Sequence, residues 1–324
     1  MQKFIQELTD KVLEEKDISL QEAGELLRAE SSDLFYLFAS ANRIRRHFRG
    51  NGLSLCAITN AKSGNCPEDC KFCAQSAHHN TDVLVYPLIT PDEMLARAEQ
   101  AFKAGIHRFC FVTSGAKLDD AEIESLCSGI AAIKKKFPKL KLDSSLGKID
   151  FTRAKQLKDA GLDRYNHNIE THPQFYSQIC TTHTFQERLK TIDILKKAGL
   201  EVCCGGIFGM GENHPQRIEF GFILKDLDVD SVALNFLNPV SGTGLEGAAP
   251  IPALEILKIV ATLRFILPKK ELRLCGGREK NLRSLQALAF SAGIDATITG
   301  DYLTTKGSPI SEDIQMLLDL GFYV

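Results

Sequence analysis

No stretch of the 324-residue chain approaches the ~18 consecutive apolar residues that suggest a membrane span, so no membrane partner is expected. Charge of one sign is not in excess either. The formal net charge of −2 argues against a generic polyanion binder, and no nucleic-acid partner is expected. Pro/Ser-rich linkers and low-complexity tracts are missing, so nothing marks a domain boundary beyond residue 50. Apolar, charged and glycine contents near the soluble average make disordered, collagen-like and coiled-coil readings unattractive. The opening MQKFIQELTDKVLEEKD is amphipathic and carries acids throughout, unlike a secretory core or an acid-poor transit peptide. A cytoplasmic location is expected. Disulfides are unexpected there despite 10 cysteines, because that compartment keeps thiols reduced. Metal ligation or catalysis is the better default for them.

What is present begins with a repeated phrase. Ala104-Gly105-Ile106, Ala160-Gly161-Leu162, Ala198-Gly199-Leu200 and Ala292-Gly293-Ile294 each close a helix-like stretch and precede an apolar run. Glycine there can take the left-handed conformation that caps a helix, which makes each phrase a helix-to-strand junction. Reading outward gives eight β-branched-rich runs near Leu53 to Thr59, Arg108 to Thr113, Leu140 to Ser144, Arg164 to Ile169, Glu201 to Phe208, Ser231 to Leu237, Leu272 to Cys275 and Asp295 to Thr299. Helical patterns such as PDEMLARAEQAFKAG, TFQERLKTIDILKKAG and IPALEILKIVATLRFIL follow them. The alternation predicts an α/β chain: a (β/α)8 TIM-type barrel over 51–324 with a helical N-terminal extension over 1–50, a doubly wound open sheet being the alternative. In a barrel, function collects at the C-terminal ends of the strands.

The loop after the first strand carries Cys66, Cys70 and Cys73 as CxxxCxxC, within CPEDCKFCAQS. Three thiolates hold three irons of a [4Fe-4S] cluster and leave one iron open, whereas four would saturate it. The open iron suits the amino and carboxylate groups of S-adenosylmethionine. Zinc is the rival, with His78 or His79 as a fourth ligand, but structural zinc sites usually show paired CxxC units. Free thiols on a surface loop would be prone to oxidation.

With Tyr165-Asn166-His167-Asn168-Ile169-Glu170-Thr171, Thr181-Thr182, Gln186-Glu187-Arg188 and Gly205-Gly206-Ile207-Phe208-Gly209-Met210-Gly211-Glu212 added, the chain resembles the biotin synthase family of radical S-adenosylmethionine enzymes from about Leu53 to its end. That resemblance implies sulfur insertion into dethiobiotin. A 5'-deoxyadenosyl radical removes hydrogen from two unactivated carbons in turn, and sulfur from an auxiliary iron-sulfur cluster closes the ring. It implies Asn168 and Glu170 on the ribose of S-adenosylmethionine and Arg188 on its carboxylate. Asn168 with Asn235 would bind the ureido ring of dethiobiotin, and Thr304 and Thr305 its carboxylate. A flavodoxin or ferredoxin-type reductant, a cysteine desulfurase or other sulfur source, and a homodimer are implied as well.

The family's auxiliary [2Fe-2S] cluster has three cysteines and an arginine, and Cys110, Cys203 and Arg278 match three of these four ligands. Asp143 stands where the third cysteine would be, and a hard carboxylate is an unusual ligand for a sulfur-rich cluster. A rearranged cluster, of a four-iron type, would instead use Cys56, Cys110, Cys203 and Cys275, with Arg278 ligating or adjacent. The bland alternative makes Cys56 and Cys275 small core residues. Cys204 should point opposite to Cys203, and Cys127 and Cys180 have no motif context. The basic run Arg43–Arg49 and Lys134-Lys135-Lys136 read as helix ends. A hydrogenase-maturation-type radical enzyme and a non-catalytic metal scaffold are the competing functions.

Overall fold

All four Ala-Gly phrases turn as expected: Gly105, Gly161, Gly199 and Gly293 have φ of 79°, 107°, 77° and 119°. Such values cost glycine little and other residues much, so each phrase stops a helix and redirects the chain into a strand. The structure, a computed structural model, describes residues 1–30 and 32–324. Three helices come first: α1 Gln2–Leu13, α2 Leu20–Leu27 and α3 Ser32–Arg49. Strands follow as β1 Ser54–Lys62, β2 Arg108–Thr113, β3 Lys141–Ser145, β4 Arg164–Asn166, β5 Glu201–Cys203, β6 Gly206–Phe208, β7 Ser231–Phe236, β8 Glu271–Leu274 and β9 Ala296–Ile298. Every pairing is parallel, in the order β5-β4-β3-β2-β1-β9-β8-β7-β6, and Cys203 opposite Ser231 joins β5 to β7. The ring is thereby closed, which excludes the open doubly wound sheet.

Two runs are shorter than their apolar character predicts. The fifth, Glu201 to Phe208, breaks at Cys204-Gly205 into β5 and β6. A Cβ on Gly205 would lie 1.9 Å from the Ala233 carbonyl oxygen, and one on Gly206 would lie 2.2 Å from that of Glu170. The backbone is squeezed between two neighbours and cannot keep a regular ladder. The fourth run ends as a strand at Asn166, and Glu170 takes φ 65°, although Ile169 N still donates to Gly205 O at 3.0 Å.

The helix Ala253–Ile266 is buried on nearly all sides, because α2 and α3 cover the face it turns away from the barrel. The basic run is less bland than its composition suggests. Arg45 is buried and donates to Gly50 O at 2.8 Å, and Arg49 pairs with Asp295 at 2.6 Å, so these cations tie α3 to the barrel's lower end. Lys134 does the same locally, reaching Asp163 at 2.5 Å.

Polar residues fill the barrel floor. Arg108 pairs with Asp143 at 3.0 Å and Glu201 at 2.9 Å, Arg164 with Glu271 at 2.7 Å, and Arg273 with Glu271 at 2.8 Å and Asp143 at 3.5 Å. Three guanidiniums meet three carboxylates, and each buried charge has a partner of opposite sign.

Candidate active site

The cysteine loop is folded by its own backbone. Cys66 N donates to Gln75 O at 3.0 Å, Ala77 N to Cys66 O at 2.8 Å, and Cys73 N to Cys70 O at 2.9 Å. The Gln75 side chain accepts from Gly64 N at 3.1 Å, fastening the loop to the end of β1. Burial raises the Cys73 thiol to about 11. Cys70 is also raised, first by its hydrogen bond with Cys180 and then by burial. His78 and His79 each spend Nε2 on a backbone carbonyl, of Pro67 at 3.0 Å and of Cys70 at 3.1 Å. Three soft donors on one loop fit a [4Fe-4S] cluster with an open iron.

Beside this loop Asn168, Glu170 and Arg188 converge. Asn168 Nδ2 donates to Glu170 at 3.4 Å, its Oδ1 accepts from Gly205 N at 3.1 Å, and Arg188 lies 3.5 Å from Glu170. Strand alternation does not bring the first two together, since both lie beyond β4; the left-handed turn at Glu170 does. Burial raises the Glu170 carboxyl and Arg188 opposes that rise. Arg188 is itself fixed by Tyr176 Oη at 2.6 Å and Asn168 O at 3.0 Å. In GGIFGMGE the carboxylate of Glu212 accepts from Gly209 N at 2.8 Å and Met210 N at 2.9 Å, so the loop is closed by its own glutamate.

A cavity opens next to these groups, with Asn235, Thr304 and Thr305 on its wall together with Ile58, Phe72 and Ile298. Asn168 is held in the neighbouring polar group and is not part of that wall. Asn235 is braced on both sides, donating to Gly206 O at 3.1 Å and accepting from Gly276 N at 3.0 Å. Phe72 and Tyr302 are among the wall residues that the sequence reading did not assign to this cavity. Phe72 belongs to the cysteine loop, and Tyr302 donates toward Cys275 O at 3.2 Å. An aromatic between cluster cysteines and an aromatic just before Thr304-Thr305 were the available signals.

Deeper in the barrel, Cys56, Cys110, Cys203 and Cys275 are all buried. Burial lifts Cys56 to about 12 and Cys110 and Cys275 well above the ordinary thiol range. Mutual repulsion adds to this: Cys110 senses Cys56 and Cys203, and Cys275 senses Cys203 and Cys56. Cys203 and Cys275 pack in one buried cluster, and Cys56 and Cys110 lie near enough to couple to it electrostatically. Cys204 belongs instead to the main apolar core, on the other side of the strand from Cys203.

Two residues differ from expectation here. Arg278 does not face the thiols: its guanidinium donates to Gln286 at 2.6 Å and to Asp313, inside the C-terminal segment. Arg273 is instead the arginine whose charge acts on Cys56 and Cys203; its buried Nε, like that of Arg278, has no hydrogen-bond partner. Asp143 does not extend a free carboxylate, because Arg108 and Arg273 both claim it. Four buried thiols beside a guanidinium with an unpartnered N–H fit a sulfur-rich cluster that would accept that bond.

Comparison with known proteins bears on the fold and the family. Residues 61–220 match the Radical SAM superfamily and residues 233–323 the Biotin and Thiamin Synthesis associated domain. In three dimensions the chain is similar to methylornithine synthase (22% identity, TM-score 0.85, 97% and 96% of the two chains). It is similar also to HydG, a maturase of the [FeFe]-hydrogenase (19%, TM-score 0.84, 99% and 75%). At those identities the likeness concerns the fold alone. Biotin synthases of Citrifermentans bemidjiense and Geobacter sulfurreducens are 49% and 47% identical to it, each across 99% of this chain and 98% of the relative. Taken with the CxxxCxxC loop above a closed parallel barrel, these full-length likenesses mean that the chain belongs to the biotin synthase family of radical S-adenosylmethionine enzymes.

Proposed function

We infer that the chain converts dethiobiotin to biotin, with sulfur drawn from an auxiliary cluster held by Cys56, Cys110, Cys203 and Cys275 and contacted by Arg273 rather than Arg278. The observation that carries the ligand set is the buried thiol quartet, with the charge of Arg273 acting on Cys56 and Cys203 and its Nε unpartnered. When bound, the loop cluster with S-adenosylmethionine supplies an oxidant for unactivated C–H bonds, and the auxiliary cluster supplies sulfur.

The chain's own part is binding, orientation and exclusion of water. Cys66, Cys70 and Cys73 hold the loop cluster. Asn168 and Glu170 hydrogen-bond the cofactor ribose, and Arg188 pairs its carboxylate. Asn235, already braced by backbone, keeps its amide in one orientation for the ureido group of the substrate. Thr304 and Thr305 receive the carboxylate end, while Ile58, Phe72 and Ile298 keep the cavity wall dry. Residues 1–50 are read as an extension that braces the catalytic barrel at 51–324. The same reading includes a flavodoxin or ferredoxin-type reductant, a cysteine desulfurase or other sulfur source, and a homodimer. No helix among the described residues is long and apolar enough to cross a membrane. A cytoplasmic location belongs to the reading too.

The test is anaerobic turnover of dethiobiotin with S-adenosylmethionine and dithionite, with iron and sulfide counted before and after and Mössbauer spectra recorded. Biotin should form as auxiliary sulfide is consumed. Cys56→Ser and Cys275→Ser should each diminish the auxiliary signal and abolish biotin while 5'-deoxyadenosine still appears. An auxiliary signal unchanged in both variants would overturn the ligand set, and 5'-deoxyadenosine without biotin from the unaltered chain would overturn the activity.

A further inference from the structure

The segment from Tyr176 to His183 presents a thiol to the cysteine loop. Cys180 Sγ lies 3.7 Å from Cys70 Sγ and 3.2 Å from Nδ1 of His183. One donor atom from each of these three residues lies within 4.8 Å of the others, and all three residues are buried. Asp69 Oδ1 lies 3.1 Å from Cys180 Sγ but is occupied by Thr181 N at 2.9 Å and Thr182 N at 3.2 Å, so it belongs to the surround rather than to the donor set. These contacts join stretches about 110 residues apart in sequence, so they are a product of the tertiary fold.

The sulfur-sulfur distance is informative. A disulfide requires a separation of about 2.0 Å. Two metal-sulfur bonds of about 2.3 Å meeting at the tetrahedral angle span about 3.8 Å, close to the 3.7 Å between Cys70 and Cys180. Two thiolates and an imidazole are the donor set that borderline-soft divalent cations prefer over magnesium or calcium. His183 is held at both ring nitrogens, with Glu68 2.8 Å from Nδ1 and Arg188 donating to Nε2 at 2.8 Å, so a cation on Nδ1 displaces the Glu68 contact. A cation on Nδ1 would move the ring proton to Nε2 and turn Arg188 away, so it would disturb the group that faces the cofactor.

We propose that the cluster-free chain binds one zinc or ferrous ion through Cys70, Cys180 and His183. Cys70 cannot serve this ion and the cluster together, so the two occupancies exclude each other. Zinc held here blocks assembly of the cluster. The inference is independent of how the auxiliary cluster is ligated.

Anaerobic titration of the cluster-free full-length protein with cobalt(II) tests it. The expected result is one equivalent bound with sulfur-to-cobalt charge-transfer absorption, retained in the Cys66→Ser/Cys73→Ser double variant. Cys180→Ser and His183→Gln should weaken binding about tenfold or more. In a second experiment, wild-type chain preloaded with one equivalent of zinc should fail to develop cluster absorbance on adding ferrous iron and sulfide. Cys180→Ala, folded by circular dichroism, should assemble the cluster equally well with and without that zinc. Unchanged cobalt affinity and absorption in Cys180→Ser would overturn the proposal, because Cys66, Cys70 and Cys73 would then suffice. So would equal zinc inhibition of wild type and Cys180→Ala, or failure of folded Cys180→Ala to assemble a cluster without zinc.

Discussion

Arg273 and Arg278 flank Cys275 and end in different surroundings. Arg273 is buried and coupled by charge to Cys56 and Cys203, while Arg278 is tied to Asp313 and Gln286. Exchanging Arg273 for Met should therefore alter the auxiliary-cluster spectrum and release the Asp143 and Glu271 carboxylates from their cation. Arg278→Gln should cost about 3 kcal/mol of stability by leaving buried Asp313 unpaired, with no change in that spectrum. Mössbauer spectra and denaturant melts of the two variants separate these outcomes. The distinction was legible in LRLCGGRE: residues two apart in a strand share a face, which pairs Arg273 with Cys275, whereas Arg278 lies beyond two glycines. The role of Asp143 was less accessible. Its neighbours Arg108 and Arg273 come from other strands, and nothing local in KLDSS announces an ion pair. Cys180 is the extreme case, since its partner Cys70 is set by the way two loops meet.

Among the elements, the interrupted fifth run governs the site. Its break lets Gly205 and Gly206 slide against β7 and the end of the fourth run, which positions Asn168 through Gly205 N and Asn235 through Gly206 O. Gly205→Ala would drive a methyl into the Ala233 carbonyl. Destabilisation of about 3 kcal/mol or more is expected, with weaker binding of both cofactor and substrate, measured by thermal melts and equilibrium titration. Strand order and the four helix-to-strand junctions were readable because apolar runs and capping glycines are local signals. The break was hidden for the converse reason: after Glu201 the run VCCGGIF carries no charged side chain, and only backbone crowding from other strands forbids a continuous ladder.

Across the whole molecule, the ion-pair floor makes the barrel sensitive to acid. Burial opposes ionisation of Glu271, but Arg273, Arg164 and the Ser231 hydroxyl outweigh it and hold the carboxyl below its ordinary range. A carboxyl lowered in the folded state stabilises fully above its unfolded value of about 4.3 and loses that contribution as pH falls toward the folded value. Glu271→Gln should cost about 3–5 kcal/mol near neutrality, since two buried guanidiniums lose a counter-charge. The variant should also melt with a shallower acid dependence below about pH 4.3 than the wild type, which urea titrations across pH will measure.

Phe72 stands between two of the loop cysteines and also forms part of the wall of the cavity proposed to receive the substrate. Metallation and substrate affinity are therefore thermodynamically linked: whatever orders the loop sharpens the wall, and a seated substrate in turn resists the loop's unravelling. A population of partly metallated molecules would then sort itself, with dethiobiotin gathering on those equipped to transform it and the others left empty.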